Sequence, residues 1–535
     1  MKLVKFWIED FLVLKNLTIN FGSPDEPSTL ANKDRAYALD FLVGVNGTGK
    51  STVLRLLTMI FKALENRTMH EIRTCFELEY LLRKGEAEQK IVIKHTRADE
   101  KWDTEILQNA ERLTVFDEKI LPERLVILTT GDEIAWQQII ESDTSIASQD
   151  NSALSLGQAE RDLAELPGYI EKPPPEEEVM QDTPSSRLLL VERAHRAVVT
   201  LCGLLSHYTA QTPEQTARGP LEMVLAESRL VGLVGFSLRC RVYSELTDKN
   251  QQNIVASLRK YASYVIQQGA DQLLVFLCVD DPARLAKQIE QDENLGITLN
   301  LYAKLYPLAQ PDEYGNRVLQ AVNIFLQKQV LTNEVEAAEG AETEAVPKQL
   351  PPLHLFDWLS DGEQSFLSRM ALLSLLTTPN ILVLLDEPEV HFNDYWKRRI
   401  VNLLDSVMKH SPIHALITTH SSITLTDVPR EDVLILERDQ IYTTDQSKSP
   451  TIQTFAADPS DIIVHVFGAP HATGQYSVSS VIDYIRQIED NAQVIKTRTD
   501  EIDKLEKSLG DVAPGYWRFR LREQLYRLDP TRRVQ

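Results

Sequence analysis

Eight consecutive residues, Gly44-Val45-Asn46-Gly47-Thr48-Gly49-Lys50-Ser51, have the types and spacing to hold a polyphosphate. Glycines carry no Cβ, so successive backbone N–H groups can converge on phosphate oxygens. Lys50 can reach the β- and γ-phosphates of a nucleotide, and the Ser51 hydroxyl can bind Mg²⁺. Thr52-Val53-Leu54-Arg55 then opens a helix whose N-terminal N–H groups face the anion. The expected binding set here is Asn46, Gly47, Gly49, Lys50, Ser51 and Thr52. A glycine turn that merely joins a strand to a helix is the plain alternative. The strand before, the helix after and the Lys-Ser pair favour nucleotide binding.

Three further segments could complete such a site. The apolar run Ile381-Leu382-Val383-Leu384-Leu385 delivers Asp386 and Glu387 to its end. Asp386 is placed for the Mg²⁺ shell, and Glu387 to orient and polarise an attacking water. Earlier in the chain, Leu359-Ser360-Asp361-Gly362-Glu363-Gln364 starts a helix expected over 365–376. Serine at a helix start is an ordinary cap. Its spacing to Asp386 also lets the Ser360 hydroxyl and the Gly362 turn meet a γ-phosphate. His420, in Thr419-His420-Ser421 after the apolar run 414–418, can sense or contact the same phosphate.

The elements that must position these residues are legible in part. Strands are expected over 3–8, 17–21, 37–43 and 125–130, and again at 381–385, 414–418 and 433–436. In the first, Leu3, Lys5 and Trp7 alternate with Val4, Phe6 and Ile8. Residues 76–82 and 90–96 flank a turn with Gly85 and read as a hairpin. From about Ser186 to Val330 the pattern turns helical, with Leu188, Val191, His195, Val198 and Leu201 at three- and four-residue spacing. The prolines and like charges of 171–178 read as an extended linker, and the acidic run 332–347 as loosely held. The tail from Ser477 is helical.

Composition narrows the function classes. The 535 residues are 43% hydrophobic and 25% charged, the profile of a globular chain with several domains. With 56 Lys+Arg against 78 Asp+Glu the net charge is −22, which disfavours a general nucleic-acid coat. Cys75, Cys202, Cys240 and Cys278 are far apart, against a disulfide framework or structural zinc. No apolar run is long enough for a membrane helix, and the opening residues are too charged for a secretory signal. A cytoplasmic protein without membrane contact is expected.

The order of phosphate loop, Leu359-Ser360-Asp361-Gly362-Glu363-Gln364, Leu384-Leu385-Asp386-Glu387-Pro388-Glu389 and Thr418-Thr419-His420-Ser421 resembles ATP-binding-cassette (ABC) ATPases of the SMC, RecF and OLD type. The likeness covers roughly 1–135 and 350–440. It implies an α/β P-loop ATPase head with an antiparallel β lobe, a large α-helical insertion and C-terminal helices. The divisions would be 1–135 and 351–445 for the two ATPase parts, 136–350 for a mainly helical insertion, and 446–535 for a helical partner-binding region. The resemblance further implies ATP and Mg²⁺, with two copies paired head to tail. Gly44, Gly49, Lys50, Ser51, Asp386, Glu387 and His420 would then act in one copy, with Ser51 and Asp386 as metal ligands and Glu387, His420 and Lys50 catalytic. Ser360, Gly362 and Glu363 would act from the other. Asp361 stands where the cassette signature usually has Gly. No glutamine loop stands out, although Gln137 and Gln138 follow the 125–130 strand. His391 would help contacts across the pair.

Within this group no coiled coil and no Toprim metal set is visible. Asp458-Pro459-Ser460-Asp461 reads as a helix cap rather than a metal motif. Short strings, including Val390-His391-Phe392-Asn393-Asp394-Tyr395-Trp396 and Phe455-Ala456-Ala457-Asp458, are similar to the Septu and retron-associated ATPases of anti-phage defence (the PtuA type). That likeness implies a switch subunit with an HNH-type nuclease partner, and in retrons a reverse transcriptase with its RNA–DNA product. A RecF-like ATPase that clamps DNA, and a scaffold that holds ATP with little turnover, are the competing readings. Gly515-Tyr516-Trp517-Arg518-Phe519-Arg520-Leu521-Arg522 could contact nucleic acid or a partner. The preferred reading is a terminal helix whose aromatics pack inward while its arginines pair with acids.

Overall fold

The strand Ile381–Asp386 is buried along its whole length. In the computed structural model it lies inside a parallel array. Its neighbours are His414–Thr419 on one side and Arg124–Thr129 on the other, followed outward by Leu188–Val191. Beyond His414–Thr419 come Ala38–Val43 and then Val433–Arg438, again parallel. Such doubly covered parallel strands read as continuous apolar runs, which Ile-Leu-Val-Leu-Leu is. The structure describes residues 1–22, 36–85, 87–98, 101–113, 115–130, 133–141, 187–210, 221–242, 246, 248–278, 281–296, 299–310, 315–328, 353–409, 411–438, 444–492 and 498–531. The proline-rich 171–178, the acidic 332–347 and Gly131-Asp132 lie outside them.

The sheet continues past Val433–Arg438 through Thr444–Lys448 into a β lobe. Its strands are Leu14–Asn20, Lys2–Phe11, Phe76–Lys84, Ala87–Ala98, Lys101–Gln108 and Glu111–Arg112, thirteen strands in one sheet. The expected hairpin is the Phe76–Lys84 and Ala87–Ala98 pair. The first strand departs from simple alternation. A register shift between Leu3 and Lys5, opposite Tyr80 and Glu79, puts Leu3 on the same core side as Phe6 and Ile8. One slipped residue inverts the facing of everything before it. His414, fully buried, ties this lobe to the central sheet. Its Nδ1 accepts from Leu3 N at 2.8 Å and its Nε2 lies 2.8 Å from the Asp40 carboxylate. Those two bonds account for a polar residue at the start of an apolar strand.

The insertion carries a sheet beside its helices. Leu230–Arg241, Asp271–Leu277, Tyr264–Gln268, Leu319–Lys328 and Leu353–Leu355 form a five-stranded sheet, antiparallel throughout. The period seen from Leu188 also breaks, because Leu188–Val191 is a strand and the helix is Arg196–Thr209. That helix packs on the helix Asp361–Leu375 with almost no separation at Gly203. A Cβ there would lie 2.5 Å from the Ala371 Cβ.

The first compact unit runs from Met1 to Ala456, past the expected boundary at 445/446. Thr444–Lys448 pairs into the main sheet, and Thr454 and Ala456 donate to Val428 O and Thr426 O at 2.5 and 2.7 Å. The second unit, Ala457–Gln535, holds the helices Gln475–Ala492, Arg498–Asp511 and Tyr516–Leu528 around Ile485, Ile488, Leu505, Leu521 and Leu525. Asp458 caps Pro459–His465, accepting from Ser460 N at 2.7 Å. Of the aromatics expected to pack, Trp517 is half-buried with its ring edge-on to His471, whereas Tyr516 and Phe519 are each 63% exposed. Leu521 and Leu525 own the buried stripe, and residues two or nine positions away at 100° per residue face the other side. Of the arginines expected to pair with acids, Arg520 does so, with Glu523 at 2.9 Å, and Arg527 joins the same carboxylate at 2.9 Å. Among the described residues no helix is long and apolar enough to cross a membrane, and all four cysteines are free, three of them buried.

Candidate nucleotide-binding site

The parallel strands end on one side of the sheet, and the chemistry gathers there. Ala38–Val43 runs into the phosphate loop, and Lys50 begins the helix Lys50–Asn66. The loop demands glycine at three places. Gly44, Gly47 and Gly49 have φ of 151°, 79° and 86°. A Cβ would meet Leu436 O at 2.6 Å from Gly44, Arg438 Nη2 at 2.5 Å from Gly47, and Leu14 Cδ2 at 2.6 Å from Gly49. Thr48 closes the turn through its N–H and hydroxyl, both to Val45 O, at 3.3 and 3.0 Å. Asn46 and Gly47 are exposed at the apex, and Ser51 and Thr52 are half-buried in the first helical turn.

Two small clusters meet beside the loop. In the first, Asp386 Oδ1 accepts from the Ser51 hydroxyl at 2.8 Å and from the Thr418 hydroxyl at 2.7 Å. Asp386 and Thr418 are level with each other on adjacent strands. In the second, His420 Nε2 lies 2.7 Å from Lys50 Nζ and 3.0 Å from Glu387 Oε1. One ring nitrogen cannot serve both: unprotonated it accepts from Lys50, protonated it donates to Glu387. Glu387 has φ 49°, a left-handed backbone of the kind that clusters at active sites. Its N–H donates to Thr418 Oγ1 at 2.9 Å, and the Thr130 hydroxyl donates to its carbonyl at 3.1 Å.

The charges are tuned by burial and by each other. Burial pulls the Lys50 ammonium down to about 8, against the opposing pull of Glu387, Asp386 and Glu389. The His420 hydrogen bond holds Glu387 below the usual carboxylate range despite partial burial. Glu389 is nearly fully buried, and that burial raises its pKa. Its Oε1 accepts from the Thr419 hydroxyl and, at 3.3 Å, from His420 N–H, while Oε2 has no hydrogen-bond partner among the described residues. Beside it Arg369, pulled down to about 9 by burial, donates to Pro388 O and lies over the Phe392 ring.

The residues suit a Mg²⁺–nucleotide. The donors around Ser51 and Asp386 are all oxygens, which a hard cation prefers, and the glycine positions leave room where side chains would block phosphates. Among the described residues no group of three or more His, Cys, Asp or Glu could hold a metal. Mg²⁺ is commonly held by one or two carboxylates together with substrate phosphates.

Ser360, Gly362 and Glu363 have different company. Ser360 caps its helix in a reciprocal box: Glu363 N–H donates to Ser360 Oγ at 3.2 Å, and Ser360 N–H donates to Glu363 Oε2 at 2.8 Å. Glu363 also takes Lys328 Nζ at 3.1 Å. Asp361 pairs with Arg196 at 2.8 Å and Arg193 at 3.0 Å, and lies 3.9 Å from His391 Nδ1. Gly362 sits against His391 O, 2.8 Å from where a Cβ would be. None of these partners belongs to the phosphate loop; two are in the insertion's helical start, one ends its strand Leu319–Lys328, and His391 follows Glu389 in the ATPase part. Sequence reading had assigned no role to Thr418, Arg369, Thr130 or Arg438. Thr418 was within reach, since a hydroxyl at the end of a strand adjoining Asp386 is a ready donor. The other three carry no local signal.

Residues 312–427 match the family described as "AAA domain, putative AbiEii toxin, Type IV TA system", less than a quarter of the chain. No curated protein matches the chain at a significant level. Among solved structures it is similar to an SMC head domain from Thermotoga maritima, with 12% identity over 84% of this chain and 100% of that one, at a TM-score of 0.33. A second is an Smc head bound to the C-winged helix domain of ScpA, with 12% identity over 84% and 98%, at 0.31. The fold stands on its own strand order and phosphate loop, not on likenesses at these scores.

Proposed function

We propose that the chain is an ATPase whose bound nucleotide draws two copies into a head-to-tail pair. The observation that carries the ATPase reading is the meeting of Lys50, Ser51, Asp386, Glu387 and His420 in two adjoining hydrogen-bonded clusters at the strand ends, linked through Thr418. The loop N–H groups and Lys50 bind the β- and γ-phosphates. Ser51 and Asp386 would hold Mg²⁺, which would supply neutralisation of developing phosphate charge. Glu387 orients and polarises the attacking water. His420 leaves Lys50 for the γ-phosphate, so the same nitrogen that joins the two side chains reports the nucleotide state.

Ser360, Gly362 and Glu363 complete the site from the second copy. Glu363 and the neighbouring Asp361 are paired with Lys328, Arg193 and Arg196 of the insertion, so that domain helps hold the turn ready, its helix start facing outward. Hydrolysis would then reopen the pair, and the insertion would pass the change to an effector. The match to a toxin–antitoxin ATPase family and the short strings shared with Septu and retron ATPases support a defence role. There the partner would be an HNH-type nuclease, with a reverse transcriptase and its RNA–DNA as a further component.

Phosphate release from Mg-ATP tests the enzymatic part. Wild type should turn over, Glu387→Gln should bind without turnover, and Lys50→Ala should do neither. Turnover in Glu387→Gln equal to wild type would remove Glu387 from its role. Wild-type protein that binds ATP and never releases phosphate would make the nucleotide a structural element.

A further inference from the structure

The strand Val433–Arg438 ends beside the phosphate loop, and its last residue has no part in the site described above. It runs parallel to Ala38–Val43 with Ile435 level with Val43, so Arg438 stands three residues further along, beside the loop itself. The guanidinium lies against Gly47. A Cβ at Gly47 would be 2.5 Å from Nη2, 3.0 Å from Cζ and 3.2 Å from Nη1. The returning strand Thr444–Lys448 is fastened to the same loop: the Thr444 hydroxyl donates to Thr48 O at 2.8 Å, and Thr444 N–H donates to Val13 O at 2.7 Å. Arg438 is therefore held over the loop's apex by two strands, and its side chain is exposed there.

Ligands of open parallel sheets bind beyond the carboxyl ends of the strands. Arg438 occupies that end on the strand flanking the phosphate loop, as His420 does on the other flank. A guanidinium stays charged at any working pH and offers a fork of donors that matches phosphate oxygens. Lys50 is a buried point charge whose ammonium is already weakened by that burial.

We propose that Arg438 is a second cationic ligand for the phosphate chain of the bound nucleotide, pre-positioned by Gly47. This deepens the nucleotide-binding reading and rests on it. Gly47 then has two duties, to admit phosphate to the backbone and to admit Arg438 to the loop.

The test is titration calorimetry with Mg-ATP, ADP and AMP on wild type, Arg438→Ala, Arg438→Lys and Lys50→Ala, with a melting curve for each. Arg438→Ala should weaken ATP and ADP about tenfold, the loss of one charge-assisted contact, and AMP far less. Arg438→Lys should recover part of that loss, and melting temperatures should stay close to wild type. Unchanged ATP and ADP affinities in Arg438→Ala would overturn the proposal. An equal loss for all three nucleotides with a lowered melting temperature would also overturn it, making Arg438 a buttress of the loop. Lys50→Ala separates the two levels. If it still binds ATP like wild type, the site reading itself fails; if it loses ATP while Arg438→Ala does not, only this inference fails.

Discussion

The phosphate loop and the Ser360 turn are held by different parts of the chain. Lys50, Ser51, Asp386, Glu387 and His420 hold one another, and every one of them sits at or beside the end of a central parallel strand. Ser360, Asp361 and Glu363 are held by their own capping box and by Arg193, Arg196 and Lys328 of the insertion. The first region can recognise a nucleotide with the groups of one copy. The second has its charges paired with groups of the insertion. It is suited to couple what that domain binds to what the nucleotide site does.

Substitutions in the first region should act on nucleotide and chemistry, and those in the second on turnover alone. The largest effect is expected from Glu387→Gln, a loss of roughly 100- to 10,000-fold in phosphate release with ATP binding kept. Lys50→Ala should weaken ATP binding on the order of 100-fold, since two or more charge-assisted contacts go with the ammonium. Calorimetry reads the binding, and a phosphate assay reads the turnover. If Lys50→Ala lost turnover but kept affinity, the loop would not be the principal anion site.

The second region should respond more mildly. Arg196→Ala removes the nearer partner of Asp361, whose carboxyl is held below its usual range: partial burial opposes this, and the Arg196 hydrogen bond and charge outweigh it. Turnover should fall about tenfold with ATP affinity of the single chain unchanged. A parallel loss of affinity would erase the distinction between the two regions.

The pH dependence sharpens the same contrast. Lys50 in the folded chain titrates at about 8, below the ordinary lysine value, because burial disfavours its charge. The protonated form is the one a triphosphate binds. Affinity should therefore be full below pH 8 and fall above it, by up to about tenfold per unit. Lys50→Arg should flatten that slope. Arg196→Ala should leave it as in wild type.

The last expected effect is on stability alone. At Gly203 the insertion helix touches the helix that starts at Ser360, and a Cβ would lie 2.5 Å from the Ala371 Cβ. Gly203→Ala should cost about 1–3 kcal/mol through overpacking, visible as a lower melting temperature. Stability equal to wild type would mean that the two helices separate freely, and the insertion could then not steer the Ser360 turn by this contact.

The two regions also differ in how far they could be read from sequence. The phosphate loop, Asp386-Glu387 and His420 are short contiguous signals, each at the end of an apolar run, and local order is all they need. The insertion sheet defeated that approach for identifiable reasons. In Asp271–Leu277 the buried positions are Gln272, Leu274 and Phe276. A polar residue occupies the first, donating its Nε2 to Arg241 O at 3.2 Å, while apolar Leu277 on the other face is 51% exposed. Alternation of hydrophobicity therefore vanishes although alternation of burial is intact. Arg438 could not be found at all without the strand order, because only the pairing of Val433–Arg438 with Ala38–Val43 brings it to Gly47. Tyr516 and Phe519 were misplaced because aromatic content suggested the buried stripe that leucines occupy.

The pairing of two copies through the Ser360 turn is the claim on which the proposed switch depends. Its most direct test is the mass of Glu387→Gln protein by light scattering, with and without Mg-ATP. Binding without turnover should trap the closed state, so the mass should rise on adding Mg-ATP. The rise should be absent in the double variant Glu387→Gln with Ser360→Arg, which keeps the phosphate loop intact. A mass indifferent to Mg-ATP, in protein shown to bind it, would contradict the account.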